Sequence, residues 1–125
     1  MNGYSVKIKE TSKELTAKER VSFKDTTAAV KLDEATKEAP VEIMPVCYGV
    51  LEIHNDNATD QDYENYVVVD KYTGTKFVTG SKSFWSSFTQ IAEEMAGSDE
   101  DWGVKVYRSP SKNYAGRDFI TCTII

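Results

Sequence analysis

The chain has 125 residues, 15 Lys and Arg against 20 Asp and Glu, a net charge of −5 and 40% hydrophobic residues, which is one domain's worth of ordinary globular sequence with enough apolar material for its own core. No apolar run approaches the roughly 18 residues of a membrane span, and no secretory apolar region follows Met1-Asn2-Gly3-Tyr4. One histidine, His54, and two widely separated cysteines, Cys47 and Cys122, leave almost nothing for acid–base or metal chemistry. An enzyme is therefore not expected, and no cofactor is implied.

From Tyr4 to Ala39 the apolar residues come as scattered pairs. Val6/Ile8, Val21/Phe23 and Val30/Leu32 each alternate with polar neighbours, the period of half-buried strands, although residues 26–39 also suit a short helix. Pro40 and Pro45 bracket a new segment, so residues 1–40 read as an N-terminal extension and 41–125 as the core of a single domain. Val46 to His54 alternates as a strand, with Cys47, Gly49, Leu51 and Ile53 on one face and Tyr48, Val50, Glu52 and His54 on the other. Residues 55–62 are polar turn chemistry. Tyr63 to Asp70 is a second strand around Val67-Val68-Val69, a Gly74-containing turn follows, and Lys76 to Gly80 returns.

Residues 81–97 change period. Phe84, Phe88, Ile91, Ala92 and Met95 repeat at helical spacing, Trp85 widens the stripe, Ser81 or Ser83 supplies an N-cap and Gly97 a left-handed C-terminal residue. Trp102 to Arg108 and Asp118 to Ile125 are the last strands, with Val104 and Val106 inward, Lys105 and Tyr107 outward, and Ile120, Cys122 and Ile124 opposite in parity to Phe119. Between them residues 109–117 (SPSKNYAGR) form a basic, aromatic hairpin loop. Strand, strand, strand, helix, strand, strand is the order of an OB-fold. The expected class is mainly β: an OB-fold-like five-stranded barrel, its helix between strands 3 and 4 plugging the barrel with Phe84, Phe88, Ile91 and Met95, with extra N-terminal strands.

The run YVVVDKYTGTKFVTGSKSFWSSFTQIAEEMAG and the ending VKVYRSPSKNYAGRDFITCTII together resemble the small single-stranded-DNA-binding proteins of protein-primed bacteriophages. The resemblance covers about Val41 to Ile125 and rests on element order, the Ser-capped helix after the glycine turn, and the ending. It implies an OB-fold that coats displaced strands during phage or mobile-element DNA replication in the bacterial cytoplasm. The chain ends within its last strand, without the acidic tail of bacterial housekeeping single-strand binders, so their tail-mediated partner recruitment is not implied.

Binding a single strand without reading sequence needs aromatic faces for bases and cations for phosphates. The candidates are Tyr72 beside Lys71, Lys76 on the third strand, Tyr107 between Lys105 and Arg108, Tyr114 between Lys112 and Arg117, and Phe119 on the outward parity of the last strand. For each tyrosine the alternative is an ordinary half-buried packing role. Tyr48 and Tyr66 lie opposite the expected core and are weaker candidates, while Trp85 and Trp102 read as structural. From Tyr63 onward seven cations face eight acids, five of them within Glu93, Glu94, Asp99, Glu100 and Asp101, so the acidic excess is local and could sit behind a basic groove. Steep salt dependence and weak sequence discrimination are expected.

A second reading is a small acidic interaction module, such as a phage-encoded inhibitor that mimics DNA for a host protein. RNA in place of DNA, self-association and contacts with replication proteins stay open. Cys47 and Cys122 share the inward parity, as buried thiols or a disulfide pair. Residues 56–62 (DNATDQD) lack the central glycine and terminal glutamate of a calcium loop, and no phosphate-loop or nucleophile-elbow pattern occurs.

Overall fold

The computed structural model describes residues 4–57, 59, 61–110 and 118–125. Along the chain these form β1 (Tyr4–Thr11), α1 (Ala17–Lys24), β2 (Val30–Lys31), α2 (Leu32–Glu38), β3 (Val41–Ile43), β4 (Pro45–Asn55), β5 (Asp62–Asp70), β6 (Lys76–Thr79), α3 (Lys82–Ala96), β7 (Val104–Pro110) and β8 (Asp118–Ile124). The protein is mainly β, in two sheets: a five-stranded sheet of order β1-β4-β5-β6-β2 and a three-stranded sheet of order β3-β7-β8. No described helix is long and apolar enough to cross a membrane.

A closed five-stranded barrel is not formed. Closure would need the last strand to pair with β6, but the outer edge of β6 is taken by β2, which runs parallel to it through Val30↔Phe77 and Lys31↔Val78. The N-terminal residues thus complete the large sheet, with β1 antiparallel to β4 and β2 on β6. β8 meets α3 instead: Ser83 Oγ donates to the Ile120 carbonyl at 2.8 Å, and the Ser87 and Thr121 hydroxyls lie 2.8 Å apart. The chain bridges the two sheets at Met44, where β3 leaves β7 and β4 joins β5.

Two apolar clusters lie on opposite faces of the large sheet. One joins Val68 and Phe77 to Leu32, Ile43, Phe84, Phe88, Val104, Val106 and Ile120, filling the space between the sheets and the helices α2 and α3. The other gathers Cys47, Leu51, Ile53, Val67 and Val78 beneath Phe23 of α1. Burial on both faces explains the unbroken Val67-Val68-Val69 run. It also corrects the placing of Tyr48 and Tyr66: Tyr66 is core, 4% exposed and stacked on Trp85 at 4.9 Å, and the half-buried Tyr48 packs against the core, meeting Phe88 edge-to-face at 4.9 Å. Cys47 and Cys122 belong to different clusters and are free, buried thiols. Burial pushes the Cys122 thiol up to about 11.

Other expectations change locally. Val21 and Phe23 lie in helix α1, not a strand; Thr16 accepts from the Glu19 N–H at 3.2 Å while Glu19 Oε1 accepts from the Thr16 N–H at 2.9 Å. That reciprocal pair nucleates a helix end that alternation alone misreads. Leu32 begins helix α2, leaving only Val30 and Lys31 as strand. Helix α3 forms as expected with Ser81 as its N-cap, but Gly97 sits at φ −88°, not left-handed. Phe84 and Phe88 are fully buried, whereas Ile91 and Met95 are half-buried at the edge facing β8.

His54 sits at the loop end of the β4–β5 hairpin. Its Nδ1 lies 2.8 Å from Asp62 and its Nε2 2.5 Å from Asp56. The hydrogen bond to Asp62, then that to Asp56, favours the imidazolium and raises its pKa above the usual 6.5. The sign follows. A raised folded-state pKa gives a stabilisation fully present below the unfolded value and lost as pH rises through the folded one. An NMR titration of the His54 ring is expected to give a midpoint above 6.5 that falls in Asp62→Asn; an unchanged midpoint in the variant would refute the clamp.

Candidate nucleic-acid interface

The three-stranded sheet has one covered and one open face, and strand parity assigns every side chain to one of them. Val104 and Val106 on β7, with Ile120 and Cys122 on β8, are buried against α2, α3 and the large sheet. Their neighbours take the other parity: Lys105, Tyr107 and Phe119 turn outward, whereas Thr121 reaches the Ser87 hydroxyl of α3 at the edge of the sheet. In register, Lys105 lies between Glu42 on β3 and Thr123 on β8, Tyr107 lies opposite Thr121, and Ser109 opposite Phe119. Tyr107 and Phe119 are therefore diagonal neighbours on one face, at the roughly 7–8 Å spacing of such pairs. Phe119 is 39% exposed, Tyr107 half-buried and Lys105 exposed.

The other expected site residues divide. Arg108 has the parity of Val104 and Val106, so it turns inward and its guanidinium donates to the Asp33 carbonyl of α2. Asp33 itself accepts from the buried Thr79 hydroxyl at 2.5 Å, so this corner ties α2 to β6 and β7. Lys76 is likewise structural: its ammonium donates to the Ser22 carbonyl and, at 2.7 Å, to the Asp25 carbonyl at the end of α1. Burial lowers its pKa, against the attraction of Asp25. A cation satisfying the last carbonyls of a helix is a familiar stabilising arrangement. Neither residue is free for phosphate.

Lys71 and Tyr72 stand together in the β5–β6 turn, with the ammonium 5.6 Å from the ring centre and Tyr72 71% exposed. Asp101 lies 4.0 Å from Lys71. Glu100 and Asp101 therefore border this turn and weaken its pull on phosphate, while Glu93 and Glu94 lie on α3. Lys112, Tyr114 and Arg117 lie outside the described residues. The structure thus brings Lys105, Tyr107 and Phe119 onto one face, holds Lys71 and Tyr72 in the turn, and withdraws Lys76 and Arg108.

Two features of the face escaped sequence reasoning. Glu42 opposes Lys105, which the alternation of Val41-Glu42-Ile43 would have signalled had it been taken as a strand. Ser109, expected in the hairpin loop, instead extends β7 and adds a hydroxyl-bearing side chain opposite Phe119. No family model, curated protein or solved structure matches the chain.

Proposed function

We propose that the chain is a sequence-independent single-stranded-DNA-binding protein of phage or mobile-element replication, coating displaced strands by base stacking with phosphate contacts at the margin. The observation that carries this reading is the diagonal pair Tyr107 and Phe119 beside Lys105 on the open face of β3-β7-β8. Two aromatic faces so placed can take two splayed bases, and every base offers a stackable face, which makes the contact indifferent to sequence. In support, the run β4-β5-β6-α3-β7-β8 follows OB-fold order, and β3-β4 pairs with β7 at its start and with β5 beyond. We read it as an OB-type arrangement opened between β6 and β8.

The withdrawal of Lys76 and Arg108 shifts the balance from phosphate contacts toward stacking. Each of Tyr107→Ala and Phe119→Ala is expected to cost about 1–3 kcal/mol in affinity for an oligo-dT strand, about five- to 150-fold in Kd. Tyr72→Ala, in the turn beside Asp101, is expected to cost less. Fluorescence anisotropy with labelled oligo-dT checks this, and equal affinity in the wild type and both single variants would put the strand elsewhere.

The acidic-mimic reading keeps one specific support: a net charge of −5, with Asp101 beside Lys71 and two cations spent inside the fold. An inhibitor of that kind would ignore oligonucleotides and bind a basic host protein.

A further inference from the structure

Away from the β3-β7-β8 face, a groove of about 220 Å³ runs between the C-terminal end of β1 and helix α3. Its floor is apolar, formed by Tyr48, Trp85, Ala92 and Ala96, and its rim carries Glu10 from β1 and Glu93 from α3. None of the described residues lining it carries a positive charge.

The position of Glu10 comes from an irregularity in β1. The pairing of β1 with β4 shifts between Ile8 and Glu10, so Glu10, not Lys9, lies opposite Val50. Lys9 reaches instead along the sheet to Glu64, at 2.6 Å. Gly49 permits this, because a Cβ there would come within 2.3 Å of the Glu10 carbonyl oxygen. A bulge re-aims side chains, and here it sets a carboxylate at the groove while its basic neighbour is neutralised elsewhere.

We propose that this groove docks a basic segment of a partner protein, taking one arginine or lysine side chain. The aliphatic stem lies along the apolar floor, as long cationic side chains do on apolar surface, and the charged head sits between Glu10 and Glu93. Two rim carboxylates with no cation among the described lining residues repel phosphate, so nucleic acid is excluded here and the groove stays free when the β3-β7-β8 face is occupied. The net charge of −5 steers a cationic partner toward the molecule, while the groove selects where it seats.

The test uses the full 15N-labelled chain and a capped glycine peptide with one central arginine, against the same peptide carrying neutral citrulline. The arginine peptide is expected to give saturable shifts at Ser12, Gly49, Ala92 and the Trp85 indole N–H. The double variant Glu10→Gln/Glu93→Gln, with its spectrum otherwise preserved, is expected to weaken binding at least about five-fold. Glu100→Gln/Asp101→Asn, which removes the same charge elsewhere, is expected to leave binding within about two-fold, as distant exposed charges are screened. Equal shifts with citrulline, equal loss in both double variants, or no shifts at the groove would each overturn the proposal.

Discussion

Replacing Phe88 by alanine is expected to cost about 3–5 kcal/mol of folding stability. The ring is fully buried and touches four other aromatics: Tyr48 at 4.9 Å, Trp85 at 5.4 Å, Phe84 at 5.6 Å and Trp102 at 6.1 Å between centroids. Tyr48 comes from β4 of the large sheet, and Trp102 lies two residues before β7 of the small one. Phe88 is therefore where α3 holds the two sheets in register, and neighbours on three separate segments cannot all collapse into the space it leaves. Natural domains have only about 5–15 kcal/mol to lose. In urea the midpoint should fall sharply with the slope unchanged, the mark of lost stability without a change in exposed surface. A loss below about 1 kcal/mol would mean that the cluster is not packed as a single core.

Asp70→Ala is expected to cost about 2–4 kcal/mol, since hydrogen bonds to a buried charged acceptor are among the stronger ones and their donors would be stranded. Its Oδ1 accepts from the Met44 N–H at 2.9 Å. Its Oδ2 accepts from the Tyr72 N–H at 3.0 Å, the Thr73 N–H at 2.9 Å and the Thr73 hydroxyl at 3.0 Å. One carboxylate thus holds both the β5–β6 turn and the chain where β3 passes into β4. Gly74, at φ +71°, completes the turn in a conformation that other residues adopt reluctantly. Burial pushes the Asp70 carboxyl up, but the Met44 and Thr73 N–H groups, the Thr73 hydroxyl and the Tyr72 N–H outweigh it and hold the pKa below the ordinary value. A depressed folded-state pKa gives stability that is present above the unfolded value near 3.9 and is lost as pH falls through the folded one. Acid unfolding curves of the wild type and Asp70→Asn should therefore converge at low pH; a constant gap down to the acid transition would show that the charge is not what binds the turn.

Local periodicity carried most of the elements after Val46, because each repeats its pattern without a competing signal. Helix α3 has five apolar residues at helical spacing and a serine cap, and β7 and β8 have clean alternation, which is also why the outward trio Lys105, Tyr107 and Phe119 was legible. The N-terminal third was legible only in part: Val6/Ile8 alternation marked β1 and residues 26–39 suited helix α2, whereas Val21/Phe23 satisfies a strand period while Thr16 and Glu19 close a capping box that decides for helix. Sheet closure was illegible for a different reason. Which strand claims the edge of β6 depends on a parallel pairing of Val30 and Lys31 with residues 47 positions away, and nothing in either segment's own pattern announces it. Arg108 and Lys76 show the same limit at the site: a cation beside a tyrosine in sequence looks available, and only the carbonyls of Asp33, Ser22 and Asp25 reveal that it is spent.

The split between structural and available cations shapes what the open face can do. Stacking by Tyr107 and Phe119 carries no charge, and Lys105 has Glu42 opposite it across the strands, so the described face offers little for counterion release. On the proposed function, affinity there rests on aromatic contact and on single-strandedness, because bases held in a duplex cannot splay onto the sheet.

The most direct test is an intrinsic-fluorescence titration of the full chain with oligo-dT and with duplex DNA of the same length, at low and at moderate salt. Saturable quenching by oligo-dT at a few to about sixteen nucleotides per protomer, weak with duplex and abolished in Tyr107→Ala/Phe119→Ala, is the result the proposed function predicts. A flat response to both nucleic acids at low salt would contradict it and leave a protein partner as the target.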